Sequence, residues 1–143
     1  MWVKQISVFL ENKPGRLFAV TRALWQHNIN IRALSLADTA DFGILRFIAS
    51  DPDCAVEVLK WEGFATSLTD VLAVEVPDAP GSLADIMEIL DQAGVSVEYL
   101  YAFTERRRGR AMIIFRVEDN DKAAAALDVG GVKVVCADDV YSM

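Results

Sequence analysis

A shift of 66 residues lays this chain on itself. Val8 falls on Val74, Pro14 on Pro80, Gly15 on Gly81, Leu17 on Leu83, Leu24 on Leu90 and Gln26 on Gln92. The same shift, without a gap, brings Leu34 to Leu100, Gly43 to Gly109, Ile48 to Ile114 and Asp53 to Asp119, and Ile29-Asn30-Ile31 to Val95-Ser96-Val97. Chance pairing does not keep chain breakers and hydrophobic rhythm in register together. The 143 residues therefore read as two copies of one small unit, with domains at 1–69 and 70–143.

Each copy spells the same order of elements. Ile6, Val8 and Leu10, matched by Leu72, Val74 and Val76, alternate with the period of a half-buried strand. Leu17, Val20 and Leu24, matched by Leu83, Ile86, Met87 and Leu90, follow the spacing of one helix face, with Leu17 and Leu83 opening the buried stripe. These helices end near Asn28 and Gly94, residue types that tolerate a left-handed helix terminus. Two alternating runs follow, 29–36 and 43–49, with counterparts at 95–103 and 110–117, and each pair reads as a hairpin. Helices are expected at 52–62 and 119–128, the first opened by Pro52 and the acidic Asp53, the second by Asp119. Closing strands are expected near 64–69 and 131–137. The order βαββαβ, written twice, is a ferredoxin-like α+β arrangement with helices on one face of an antiparallel sheet.

Composition narrows the function classes. An apolar content of 53% suffices for a buried core, and no apolar run has the roughly 18 residues that a membrane helix needs. Met1-Trp2-Val3-Lys4-Gln5 has no long apolar signal segment, so a soluble, cytoplasmic protein is expected. Residues 1–69 carry seven cationic and seven acidic side chains, whereas 70–143 carry seven against fourteen. That balance disfavours nucleic acid, whose phosphates need a basic surface. The basic run Arg106-Arg107-Arg108-Gly109-Arg110 sits between two alternating runs and reads as a solvated hairpin tip. Cys54 and Cys136 lack metal-site or disulfide spacing and are expected as buried, reduced thiols. No metal loop or phosphate-binding glycine loop is present, so neither a metal nor a cofactor is expected. His27, the single histidine, stands at the end of the first helix, where it complements the dipole, and no nucleophile, base and orienter can be assembled around it. Trp25, Trp61, Tyr99 and Tyr101 are read as core or interface packing.

The repeated Pro-Gly-x-Leu lies at the turn from first strand to first helix. Pro14 presets φ for the first helical turn, Gly15 allows close backbone approach, and unpaired N–H groups at the helix start suit a carboxylate or phosphate. Asn12 adds a donor and an acceptor. Taken alone, the motif reads more simply as a turn capped by Asn12 or Asp78.

Doubling of the motif in one context changes its weight. A βαββαβ unit with Asn-x-Pro-Gly-x-Leu at this turn, and Asn-Ile or Val after the first helix, resembles an ACT domain. Pro77-Asp78-Ala79-Pro80-Gly81-Ser82-Leu83 resembles the aspartate version of the same loop. The resemblance covers nearly the whole chain and is to stand-alone tandem ACT proteins with no attached enzyme. It implies two ACT domains paired side by side through their second strands into an eight-stranded antiparallel sheet. An amino acid would bind at their interface. One pocket would combine Asn12, Gly15, Arg16 and Leu17 with Ser96 and Val97, and the other Asp78, Gly81, Ser82 and Leu83 with Asn30 and Ile31. Leu10 stands where serine-sensing relatives often carry histidine, which allows a more apolar ligand. Phe9 projects opposite Ile6, Val8 and Leu10, and Leu34 and Leu36 opposite Ile29 and Ile31, so both sheet faces carry apolar residues and a homodimer is expected. The resulting expectation is a non-enzymatic, amino-acid-binding regulatory protein. The alternative is an interaction adaptor that keeps the fold without the pocket.

Overall fold

A computed structural model describes residues 2–38, 41–105 and 108–143. Its elements run β1 (Val3–Glu11), α1 (Arg16–Gln26), β2 (Ile31–Asp38), β3 (Phe42–Ala49), α2 (Pro52–Trp61), β4 (Ala65–Pro77), α3 (Ser82–Gln92), β5 (Val97–Ala102), β6 (Arg110–Val117), α4 (Asn120–Val129), β7 (Lys133–Val135) and α5 (Ala137–Tyr141). Two compact units are found. One is Lys4–Thr69 with Tyr141–Met143, and the other is Asp70–Val140 with the first residues of the chain.

In the unit of Lys4–Thr69, β1 lies between β3 and β4, and β2 pairs outside β3. Ile6, Val8 and Leu10 of β1 oppose Phe47, Leu45 and Gly43 of β3. Those three β1 residues, with Leu45 and Phe47, form one face of a core closed by Val20 and Leu24 of α1 and Ala55 and Leu59 of α2. Both helices thus cover the same face of the sheet, as the alternation requires. Tyr141 also belongs to this unit. Its hydroxyl accepts from the Lys4 N–H at 2.7 Å, and its carbonyl accepts from Arg32 Nη2 at 3.0 Å.

The unit of Asp70–Val140 repeats the plan. Leu72, Val74 and Val76 of β4 pack with Ile113 and Phe115 of β6 beneath Ile86 and Leu90 of α3 and Ala123 and Leu127 of α4. Here β4 is flanked by β6 and β7, with β5 outside β6. Among the described residues the second strand of each repeat, β2 or β5, is an edge strand with one hydrogen-bonded neighbour.

Four expectations are corrected. The side-by-side sheet of eight strands is replaced by seven strands among the described residues, because β4 is one uninterrupted strand of 13 residues where two strands were expected. The gap-free shift of 66 holds only through the second strand. Beyond it the copies are 68 apart: Ile6 opposes Phe47 and Leu72 opposes Phe115, and the left-handed glycines are Gly63 and Gly131. Gly43, Ile48 and Asp53 are therefore not the structural counterparts of Gly109, Ile114 and Asp119. Third, a β-bulge between Ile31 and Ala33 reverses the side-chain phase, so Leu34 and Leu36 oppose Phe47 and Leu45 and share the core face with Ile31. They remain exposed because β2 is the edge. The same bulge recurs between Val97 and Tyr99. Finally, Cys136 is exposed and Cys54 half-buried, both free rather than buried, and Trp25 and Trp61 are 75% and 91% exposed, which excludes core packing for them and leaves the interface reading as it was. The turn expected at Arg106 and Arg107 lies outside the described residues.

The second helix of each copy starts at a capping aspartate. The Asp51 carboxylate accepts from the Cys54 N–H and that of Asp119 from the Lys122 N–H, both at 3.1 Å. Asp51→Ala and Asp119→Ala are each expected to lower stability by about 1 kcal/mol, read as a reduced urea midpoint at constant slope, with asparagine restoring most of the loss.

Candidate ligand-binding loops

Both strand-to-helix turns have the same backbone. Gly15 and Gly81 are the N-cap residues of α1 and α3, each at φ +89°, and neither helix has a side-chain cap. Asn12 and Asp78 are therefore not helix caps, and Pro14 and Pro80 lie in the turn before the helix rather than in its first turn. In the first loop the N–H groups of Asn12, Lys13, Arg16 and Ala19 donate to the carbonyls of Asp41, Glu11, Lys13 and Gly15. In the second those of Asp78, Ala79, Ser82 and Asp85 donate to the carbonyls of Gly109, Pro77, Ala79 and Gly81. Loop, hairpin and helix are thus tied by the same four bonds in each copy.

A cavity of about 310 Å³ opens beside the first loop, lined by Leu10, Glu11, Asn12, Lys13, Arg16, Leu17, Leu36 and Gly43. Of the residues expected there from the same unit, Asn12, Arg16 and Leu17 line it. Leu17 is 40% exposed, so the buried stripe of α1 begins at Val20 and Leu17 faces the cavity. The Arg16 guanidinium lies over the Phe64 ring, 4.8 Å from its centroid. Lys13 pairs with Glu11 at 2.8 Å. The Lys13 hydrogen bond, with its charge and that of Arg16 adding, holds the exposed Glu11 carboxyl below the usual carboxylate range.

The second loop differs. Its neighbouring cavity, about 260 Å³, is lined by Ser82, Asp85 and Ile86 of α3, by Glu75, Val76 and Pro77 of β4, and by Arg110, Gly131, Val132 and Lys133. Glu75 is the hub of its polar wall, 2.7 Å from Arg110 Nε and 3.6 Å from Lys133 Nζ. Among the expected residues only Ser82 lines this cavity, while Asp78, Gly81 and Leu83 stay outside it.

The second-strand residues divide in the same way in each unit. Asn30 is exposed at the start of β2, its N–H donating to Ser50 Oγ and its carbonyl accepting from the Ser50 N–H, both at 2.9 Å. Ser96 is also exposed, whereas Ile31 and Val97 pack against their own cores. None of the four lines the cavity of its own unit. Sequence reasoning missed Glu11, Lys13 and Leu36 around the first loop, although Glu-x-Lys flanking the motif is a local signal. It also missed Glu75, Arg110 and Lys133, which come from three strands and meet only through the registers Glu75 with Lys133 and Pro77 with Arg110.

His27 takes its expected place at the end of α1, where Nδ1–H donates to the Ala23 carbonyl at 2.9 Å. Among the described residues no cluster of three or more His, Cys, Asp or Glu is placed to hold a metal, and no helix is long and apolar enough to cross a membrane.

A Cβ added at Gly15 or Gly81 meets no atom within 4 Å, so alanine there tests backbone conformation alone. Gly15→Ala and Gly81→Ala are each expected to cost about 1–2 kcal/mol in chemical denaturation, and Gly→Asn less. Lys13→Met is expected to raise the Glu11 carboxyl pKa toward its ordinary value in an NMR titration. The depressed value means that any contribution of the Lys13–Glu11 pair is present above the unfolded carboxylate pKa and lost as pH falls through the folded one.

A family model describing an ACT domain pair matches residues 1–143. Among solved structures the chain is similar to protein BT0572 from Bacteroides thetaiotaomicron, at 43% identity and a TM-score of 0.94, covering 100% of this chain and 98% of that one. It shares its fold with the ligand-free regulatory subunit of aspartate kinase from Thermus thermophilus, at 19% identity and a TM-score of 0.67 over 90% of this chain and 89% of that one. The regulatory subunit of aspartate kinase from Thermus flavus is also similar in fold, at 18% identity and a TM-score of 0.61 over 90% and 92% of the two chains. No curated protein matches. The whole-chain match and the duplicated glycine turn agree, and the chain belongs to the ACT domain pair family.

Proposed function

We propose that this protein is a cytoplasmic, non-enzymatic sensor that binds an amino acid at interfaces between ACT domains and regulates a partner according to occupancy. The observation that carries the reading is the duplicated turn, with Gly15 and Gly81 in one left-handed conformation and a cavity beside each loop. The cavity of about 310 Å³ lies at the low end for ligand sites and that of about 260 Å³ just below it, sizes that suit a single small metabolite. Each loop would be completed by the second strand of an opposing ACT domain, bringing Ser96 and Val97 to the first loop and Asn30 and Ile31 to the second. The edge positions of β2 and β5 among the described residues, with Leu34, Leu36 and Leu100 exposed on them, fit pairing of this kind in a homodimer. The free thiols Cys54 and Cys136 fit a reducing compartment.

The adaptor reading has its own support in the exposed aromatics Phe18 and Trp25 on α1 and Trp61 at the end of α2, large side chains that a partner could cover. A thermal-shift panel of the twenty amino acids separates the two. A ligand at a hundredfold excess over its Kd is expected to stabilise the protein by about 2.7 kcal/mol, seen as a Tm rise of several degrees. Silence across the whole panel, with correctly folded protein, favours the adaptor.

A further inference from the structure

The two repeats present opposite chemistry on equivalent helix faces. From Arg16 to Gln26, α1 carries two arginines and no acid, whereas from Ser82 to Gln92 α3 carries Asp85, Glu88 and Asp91 and no base. Phe18, Arg22 and Trp25 follow one another at i, i+4 and i+7, so they share one stripe of α1, and all three are exposed. The Arg22 guanidinium lies 5.3 Å from the centroid of the Phe18 ring and has no ion pair among the described residues. At the corresponding positions, 66 residues on, α3 exposes Ala84, Glu88 and Asp91. The second helices repeat the contrast at their C-terminal ends, where exposed Lys60 and Trp61 of α2 correspond to exposed Asp128 and Val129 of α4. Taken together, α1 and α2 hold three bases against two acids, and α3 and α4 hold one base against five acids.

One fold has thus been given an aromatic, cationic face in its first copy and a small, acidic face in its second. Tryptophan, phenylalanine and arginine are side chains that protein interfaces favour. We propose that the Phe18, Arg22 and Trp25 face of α1 docks on the acidic face of α3 in another copy of this chain, with Arg22 taking Glu88 and Asp91 as its partners. Ala84, at the position of Phe18, leaves an aromatic ring from the other copy room to lie against α3. Pairing α1 with α1 would bring basic side chains together with no acid to answer them, and pairing α3 with α3 would gather acids alone, so charge selects the unlike arrangement. The contact is heterologous, and each copy offers one face of each kind. It uses the outer sides of the helices and is separate from pairing through the β2 and β5 edges.

The test is sedimentation velocity of the full chain over a wide concentration range, at low and high salt. Self-association that weakens as salt rises is expected. Arg22→Glu reverses the first face, and Glu88→Arg with Asp91→Arg reverses the second. Each variant is expected to weaken self-association about tenfold, with Tm within a few degrees of the parent because the altered positions are exposed. Mixed in equal amounts, the two variants are expected to associate as the parent does, since the reversed faces match each other and so do the unaltered ones. Trp25→Ala is expected to weaken self-association while leaving its salt dependence in place. A parent that stays monomeric throughout would overturn the proposal and leave the aromatic face to a different protein. Failure of the mixture to associate would overturn it as well. So would self-association that only Arg22→Glu weakens, which puts α1 against itself, or that neither reversal weakens, which assigns assembly to the strand edges.

Discussion

Alternation along the central strands governs the rest of the structure. Ile6, Val8 and Leu10 in β1, and Leu72, Val74 and Val76 in β4, leave water on one face, and in each unit two helices lie across that face. A helix that packs back on the strand preceding it must begin within a few residues of the strand's end. The chain reverses there through one residue at positive φ, and glycine occupies that residue in both copies. The packing thus dictates the backbone of the loop but not the identity of its side chains. Asn12, Lys13 and Arg16 in one copy and Asp78, Ala79 and Ser82 in the other occupy one backbone frame with different chemistry.

The element order and the duplicated turn are legible in the sequence because their signals are periodic or punctuated. The details that escape have definite physical reasons. Two extra residues in the second hairpin move the later elements from a 66-residue to a 68-residue offset. An even shift preserves the two-residue period of a strand, so the apolar pattern fits both registers. The bulge after Ile31 changes the face on which Leu34 and Leu36 lie, yet Ala33, Leu34 and Leu36 are all apolar and the sequence carries no mark of the reversal. Thr69 and Asp70 read as a break between two strands, but the backbone continues through them as β4. Polarity of side chains on a partly covered strand does not interrupt its hydrogen bonding.

The site divides along the same line. Asn12, Arg16, Leu17 and Ser82 are legible because the loop places them by local geometry, and each lines a cavity. Residues gathered by sheet register, such as Glu75, Arg110 and Lys133, leave no trace in linear spacing. Ile31 and Val97 show the converse, since strand position identifies them while the bulge beside each leaves them packed on a core. What they could offer a ligand is therefore backbone rather than side chain. Asn30 and Ser96, exposed one residue earlier, retain side chains for the purpose.

Duplication of a turn under one packing constraint makes the inequality of the loops informative. The left-handed conformation is the same at Gly15 and Gly81, and the loop hydrogen bonds correspond one to one, so backbone cannot make one loop prefer a ligand over the other. Any preference must come from side chains, and these differ most in charge. Lys13 and Arg16 stand with Glu11 beside the first loop, whereas Ser82 of the second loop lines a cavity with Glu75, Arg110 and Lys133. A ligand shifts an equilibrium only by its differential affinity for two states. Two loops with identical side chains could not be told apart by any ligand, so divergence of the side chains over a fixed backbone is the one means by which the copies can differ in what they recognise.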